Sequence, residues 1–227
     1  MKKILFSCYG MGIGGIEKCL VNLLNLLPEE KYDIDVLLMN PEYDLKQDVV
    51  RRVNWLDSFS YVMNTTDTMS EINARGGVIA NLSTFVRYCA FRLVFKLRFD
   101  AWKLFLPLKT KYDIAIAYSQ NDFSPYYIID RVTADKKLFW YHNGAYEGDK
   151  RKYNIDIKYY RKFDHIIAVS TDCAKMLQEK FQFKGEQLQV LRNVYNVNDV
   201  RSKAELYVPK SYNSNAFHLL NLSNFSD

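Results

Sequence analysis

Gly10, Gly12, Gly14 and Gly15 stand between a short apolar run, residues 3–8, and an amphipathic segment headed by Ile16, Glu17 and Lys18. Glycines let a backbone approach a ligand closely, and a helix N-terminus presents unpaired N–H groups to an anion. The chemistry predicted at this loop is the cradling of phosphate. A second reactive side chain is His142, just past an apolar run at 137–141. An imidazole there donates or accepts a proton near neutral pH, which suits hydroxyl recognition. The structural alternative is a histidine hydrogen-bonded within its own loop. Asn143 and Gly144 shape the same turn. His165 and His218 fall at strand starts and receive no role.

The glycine loop admits several readings. Gly10, Gly12 and Gly15 match the G-x-G-x-x-G dinucleotide fingerprint, which as a lone match is weak. That fingerprint also needs a carboxylate at the end of the second strand for the ribose hydroxyl. The second apolar run ends in Asn40-Pro41, Asp33 and Asp35 come too early, and only Glu42 lies nearby. A nicotinamide-dependent oxidoreductase therefore stays as an alternative without its key residue. A turn serving only strand–helix packing is the other.

Apolar runs alternate with helical patterns, and the runs are nearly continuous, as in strands covered on both faces. This predicts an α/β fold, a Rossmann-like doubly wound parallel sheet. Strands are predicted near 3–8, 33–39, 113–118, 137–141, 165–169 and 188–191. Helices are predicted over 16–27, stopped by Pro28, and over 171–181, capped by Ser170 and closed by Gly185. Residues 54–77 read as a polar, irregular connection. After Asn193 the chain turns polar, and residues 217–222 read as a fresh strand. The expected organisation is a domain over 1–195, then a hinge and the first strand of a truncated second domain over 196–227.

The chain has 227 residues, 48% hydrophobic and 25% charged, with a formal net charge of +5. That is globular composition, with no apolar stretch long enough to span a bilayer and no secretory signal pattern. Cys8, Cys19, Cys89 and Cys173 have no C-x-x-C spacing, which predicts a reducing, cytoplasmic setting and no zinc site.

Residues 82–109 carry two stripes at helical spacing. Val86, Leu93, Leu97, Leu104 and Leu108 form an aliphatic one; Tyr88, Phe91, Phe95, Phe99 and Trp102 form an aromatic one. Arg87, Arg98 and Lys109 flank the aromatic stripe on one side, and Arg92, Lys96 and Lys103 on the other. An aliphatic face toward the domain and a basic-edged aromatic face toward lipid headgroups would account for both. The predicted membrane contacts are Arg87, Phe91, Arg92, Phe95, Lys96, Arg98, Phe99, Trp102 and Lys103, peripheral on the inner face of the cell membrane. A helix pair buried on two sides, or docked on another protein, is the alternative.

Several segments together resemble the retaining glycosyltransferases of the two-Rossmann-domain type (GT-B fold), family 4, of the bacterial polysaccharide or lipid-linked saccharide kind. Gly14-Gly15-Ile16-Glu17-Lys18 is similar to the family's G-G-x-E-[RK] loop, and Trp140-Tyr141-His142-Asn143 to its W-x-H element. The stretch from Asp164 to Ser170 is similar to its D-x-(apolar)-x-x-V-S strand, and Val190-Leu191-Arg192-Asn193 to its hinge into a second domain. Phe225-Ser226 sits where the family has G-R-(apolar)-S.

The resemblance implies transfer of a sugar from a nucleotide-sugar, UDP- or GDP-linked, to a saccharide or lipid-linked acceptor. Anomeric retention, no metal or other cofactor, and a role in surface polysaccharide biosynthesis are implied with it. The active site would lie in a cleft between an acceptor-side domain, this one, and a donor-side domain. Gly12, Gly14 and Gly15 would approach the donor diphosphate, and His142 would act as the catalytic residue at the transferred sugar or acceptor. Glu17, Asn143, Ser170 and Asn193 would complete the substrate site. Alternatively Glu17 is a solvated first turn, Ser170 only a cap and Asn193 only a hinge. The family's second-domain basic residues and E-x7-E element have no counterpart here, so the fragment is expected to be inactive alone. A non-catalytic or vestigial α/β domain is the competing expectation.

Overall fold

The structure is a computed structural model, and it describes residues 1–39, 43–56, 101–120 and 122–207 together with Cys89, Leu93 and Phe217. The chain divides into two compact units, residues 1–194 and 195–227. The first contains β1 (Lys2–Cys8), α1 (Gly15–Leu26), β2 (Tyr32–Leu38), β3 (Asn54–Leu56), β4 (Lys111–Ala117), α2 (Ser124–Arg131), β5 (Thr133–Tyr141), α3 (Lys150–Tyr160), β6 (His165–Ala168), α4 (Thr171–Phe181) and β7 (Leu188–Val190). In the second, α5 (Val197–Ala204) is capped by Asn196, whose Oδ1 accepts from Asp199 N–H at 3.2 Å, and its residues are exposed.

The sheet is seven-stranded and parallel, in the order β3-β2-β1-β4-β5-β6-β7. It is the expected Rossmann-like α/β fold. Side chains alternate across each strand. Ile4, Phe6, Ile34, Val36 and Leu38 meet Leu20, Val21 and Leu24 of α1 on one face. Leu5, Ala115, Ala117, Phe139 and Ile166 face the opposite way, toward α2, α3 and α4. The small Ala115 and Ala117 leave room for the bulky Tyr126 and Tyr127 of α2, all in one buried cluster.

β3 is a correction. Residues 54–56 belong to the stretch predicted to be irregular, yet Asn54-Trp55-Leu56 pairs in parallel with Asp35-Val36-Leu37. Three residues carry too little periodicity to announce a strand. Asp35 supplies the tie: 2% exposed, it accepts from Asn54 Nδ2 at 3.2 Å, Tyr112 Oη at 2.7 Å and Lys3 Nζ at 3.3 Å. One carboxylate thus joins four neighbouring strands. Helix ends follow local chemistry. Leu27 turns extended ahead of Pro28 and closes α1, and Gln182, not Gly185, is the left-handed cap of α4.

Trp102 is a second correction. Predicted to face lipid, it is 4% exposed, stacked on Tyr126 at 4.4 Å, and donates from Nε1 to Asp130 at 3.0 Å. Residues Ala101–Leu104 form a 3₁₀ turn, with three residues per turn, so the α-helical phase of the stripe does not reach Trp102. Lys103 is exposed. Leu93, assigned to the inward stripe, is 57% exposed, so it too departs from the predicted phase. Arg87, Phe91, Arg92, Phe95, Lys96, Arg98 and Phe99 lie outside the described residues, as does the predicted strand beyond Phe217. Among the described residues no helix is long and apolar enough to cross a membrane.

Candidate functional site at the C-terminal edge of the sheet

The chain leaves β1 in one direction, through β2 and β3, and returns on its other side as β4. Doubly wound sheets bind ligands where strand order reverses in this way, beyond the carboxyl ends of the strands. Here that point is the gap between Cys8 and Tyr118. It is closed below by the backbone bond from Tyr118 N–H to Ser7 O at 2.7 Å, and on the other side of β1 Met39 N–H donates to Cys8 O at 2.9 Å.

The loop after β1 leads into α1 through Gly14, which is extended (φ −146°, ψ 167°), and none of the described loop glycines has a positive φ. Their value is room rather than turn geometry. Around Gly15 no atom lies within 4 Å of where a Cβ would sit. A Cβ on Gly14 would collide with the Glu17 carboxylate, which folds back over the helix start. The first intrahelical bond runs from Lys18 N–H to Gly14 O at 3.0 Å. The amides of Gly15, Ile16 and Glu17 therefore precede the helical ladder, at the positive end of the helix dipole.

His142 follows β5, two strands from β1. At normal strand spacing that is about 10 Å. Its backbone N–H donates to Gln120 Oε1 at 3.3 Å, and its ring meets Tyr118 edge-on with centroids 4.8 Å apart. Burial lowers the imidazole from 6.5 to about 4, against a hydrogen bond to the Tyr118 backbone that works in the opposite direction. The ring is neutral at pH 7. Its Nε2 is buried and has no partner among the described residues.

Two residues at this edge escaped the sequence reading. Gln120, 2% exposed, holds His142. Asp122, half-buried, accepts from Ser119 Oγ at 2.6 Å, Ser124 N–H at 2.8 Å and Ser124 Oγ at 3.1 Å; Ser124 Oγ in turn accepts from Ser7 Oγ at 2.9 Å. Withdrawal from water raises the Asp122 carboxyl to about 6 despite those hydrogen bonds. The available signal was the polar run Ser119-Gln120-Asn121-Asp122, directly after an apolar strand, the same placement that flagged His142.

The other predicted residues share this edge. Asn143 follows His142. Ser170, after β6, spends its Oγ as an acceptor for Cys173 N–H at 3.1 Å, capping α4. Asn193 lies three residues past β7, with a buried Oδ1 that lacks a partner among the described residues. Gly12 and Gly14 are partly buried, Gly15 exposed. Burial pushes the Cys8 and Cys173 thiols up, which leaves both unreactive near neutral pH. Among the described residues no three His, Cys, Asp or Glu side chains gather as a metal site.

A Rossmann-like sheet here carries a glycine loop, a neutral histidine and buried side-chain amides along the carboxyl edge of its strands, where doubly wound folds bind ligands. The family pattern of Glycosyltransferase Family 4 matches residues 13–199, and the chain belongs to that family. No functionally curated protein matches the sequence. Among solved structures, the chain is similar to Anabaena Alr3699/HepE in complex with UDP and glucose, at 14% identity and a TM-score of 0.50, covering 90% of this chain and 50% of that one. The same protein in complex with UDP-glucose gives the same values. A glycosyltransferase from Rickettsia africae is similar at 16% identity and a TM-score of 0.49, over 91% of this chain and 46% of that one. The likeness to Alr3699/HepE shows the fold alone, and the chain spans about half the length of those structures.

Proposed function

We propose that this chain is the acceptor-side domain of a retaining glycosyltransferase that moves a sugar from a UDP- or GDP-linked donor to a saccharide or lipid-linked acceptor in surface polysaccharide biosynthesis. The observation that carries this reading is the buried Nε2 of the neutral His142, without a partner among the described residues, at the carboxyl edge of the sheet in a family 4 fold. A neutral imidazole there accepts a hydrogen bond from a sugar hydroxyl and fixes the ring. The open face around Gly15 and the first amides of α1 fit a diphosphate leaving group, by backbone donation and the helix dipole. The chain's contribution is positioning and charge stabilisation. Donor-nucleotide contacts are assigned to a second Rossmann domain facing this edge, and the domain alone is proposed to be inactive. No metal or other cofactor is assigned to the reaction.

In the enzyme that carries this domain, His142→Ala lowers the transfer rate about 100-fold, while His165→Ala leaves it near normal. Unchanged turnover in His142→Ala defeats the proposal.

Residues 82–103 carry a separate part of the reading, peripheral contact with the inner face of the cell membrane. Its support is the basic-edged aromatic stripe of the sequence, without Trp102. Cosedimentation with anionic liposomes at low salt, weakened by Arg92→Glu and Lys96→Glu, is the expected result, and failure to pellet removes this part alone.

A further inference from the structure

Gln120 has two ends with opposite fates. Its Oε1 accepts from the His142 N–H at 3.3 Å. That bond fixes the orientation of the amide, because the flipped form would set a donor against a donor. The NH2 group then points the other way. Gln120 is 2% exposed, and its Nε2 is buried without a partner among the described residues. The residue it holds, His142, carries a second such atom, its ring Nε2, also buried and without a partner among the described residues.

We infer that Gln120 is a substrate-reading residue whose side-chain NH2 donates to a ring hydroxyl of the sugar held at His142. This inference rests on the glycosyltransferase reading and deepens it. A sugar ring presents hydroxyls, and a hydroxyl can accept from the Gln120 NH2 and can donate to or accept from His142 Nε2, whichever tautomer the ring holds. An apolar group satisfies neither. The ligand class is a polyhydroxylated ring. Its source is either the transferred sugar of the nucleotide donor or the acceptor saccharide.

The test uses the complete enzyme, with KM and kcat measured separately for donor and acceptor. Gln120→Glu, assayed as a pH series from about 6 to 9, keeps an acceptor for the His142 N–H and removes the donor once its buried carboxyl ionises. A KM rise of about tenfold or more for one of the two substrates, growing with pH, is expected, with kcat within about threefold and a folded protein by circular dichroism. The substrate whose KM moves is the source of the hydroxyl. Monodeoxy analogues of that substrate give an independent readout on the unmodified enzyme: one position discriminates about tenfold in wild type, and that discrimination vanishes in Gln120→Glu. Gln120→Glu with both KM values unchanged, or a wild type that accepts every monodeoxy analogue equally, overturns the inference and reduces Gln120 to a prop for the His142 loop. If His142→Ala is inactive in the same assay, the underlying reading survives that result. A wild type that neither binds nor uses any nucleotide-sugar overturns both.

Discussion

The His142 ring stands edge-on to the Tyr118 ring, with centroids 4.8 Å apart and planes inclined at 60°. The contact keeps water from the imidazole, and burial lowers its pKa from 6.5 to about 4. A proton NMR titration should find this histidine uncharged down to about pH 5. The linkage sign follows. The unfolded chain binds a proton at His142 more readily than the folded chain, so this contribution to stability is complete above 6.5 and lost as pH falls toward 4. Urea melts at both ends of that window should converge in His142→Phe. A histidine that titrates at its ordinary value refutes the burial account.

Asp122 has the opposite sign. Its carboxyl is raised from 3.8 to about 6, chiefly by withdrawal from water, so the folded chain holds a proton that the unfolded chain has released. This contribution is complete below 3.8 and disappears as pH rises through 6. Asp122→Asn keeps one acceptor for the Ser124 N–H, turns its NH2 to the Ser119 and Ser124 hydroxyls as a donor, and should abolish that slope in melts between pH 4 and 7. A slope that persists in the variant assigns it elsewhere.

Trp102 is placed for packing. Trp102→Ala removes the stack on Tyr126, the edge contact with Tyr159 and the bond to Asp130. Equilibrium denaturation should show a loss of about 3–5 kcal/mol. Trp102→Phe keeps the ring contacts and should lose less. A loss below about 0.5 kcal/mol for the alanine variant would place this indole at the surface.

Ser170 separates capping from substrate contact. Ser170→Ala costs about 1 kcal/mol through the lost bond from Cys173 N–H, and Ser170→Asp restores most of it. If transfer activity follows stability through both variants, capping is its whole role. Activity lost in Ser170→Asp at full stability adds a contact with substrate.

The parallel architecture was readable because strands buried on both faces are written as unbroken apolar runs. Ile4-Leu5-Phe6 and Val36-Leu37-Leu38, within β1 and β2, are of this kind. The glycine loop and His142 were readable for a related reason: polar or small residues directly after such a run fall on the ligand-binding edge. β3 was not readable, because three residues show no period, and its pairing depends on Asp35 and Asn54 meeting across strands. Trp102 misled because the wheel assumes 3.6 residues per turn through a segment that winds at three. α2 was hidden by its composition, Ser-Pro-Tyr-Tyr-Ile-Ile-Asp-Arg, which does not favour a helix until Asp122 ties down its first turn.

Local chemistry in the chain settled six of the seven strands, the stop of α1 before Pro28, the start of α4 at Ser170, and that a glycine loop and a histidine lie at strand ends. Those features depend on neighbours a few residues apart. The meeting of Gln120 with His142, of Ser7 with Ser124 and of Asp35 with Tyr112 was decided only by folding, since each pair joins different strands or loops across tens of residues or more. Burial then did what no residue type specifies alone. It left His142 neutral, raised the Asp122 carboxyl, and kept the Gln120 amide nitrogen and one imidazole nitrogen of His142 out of water without a partner among the described residues.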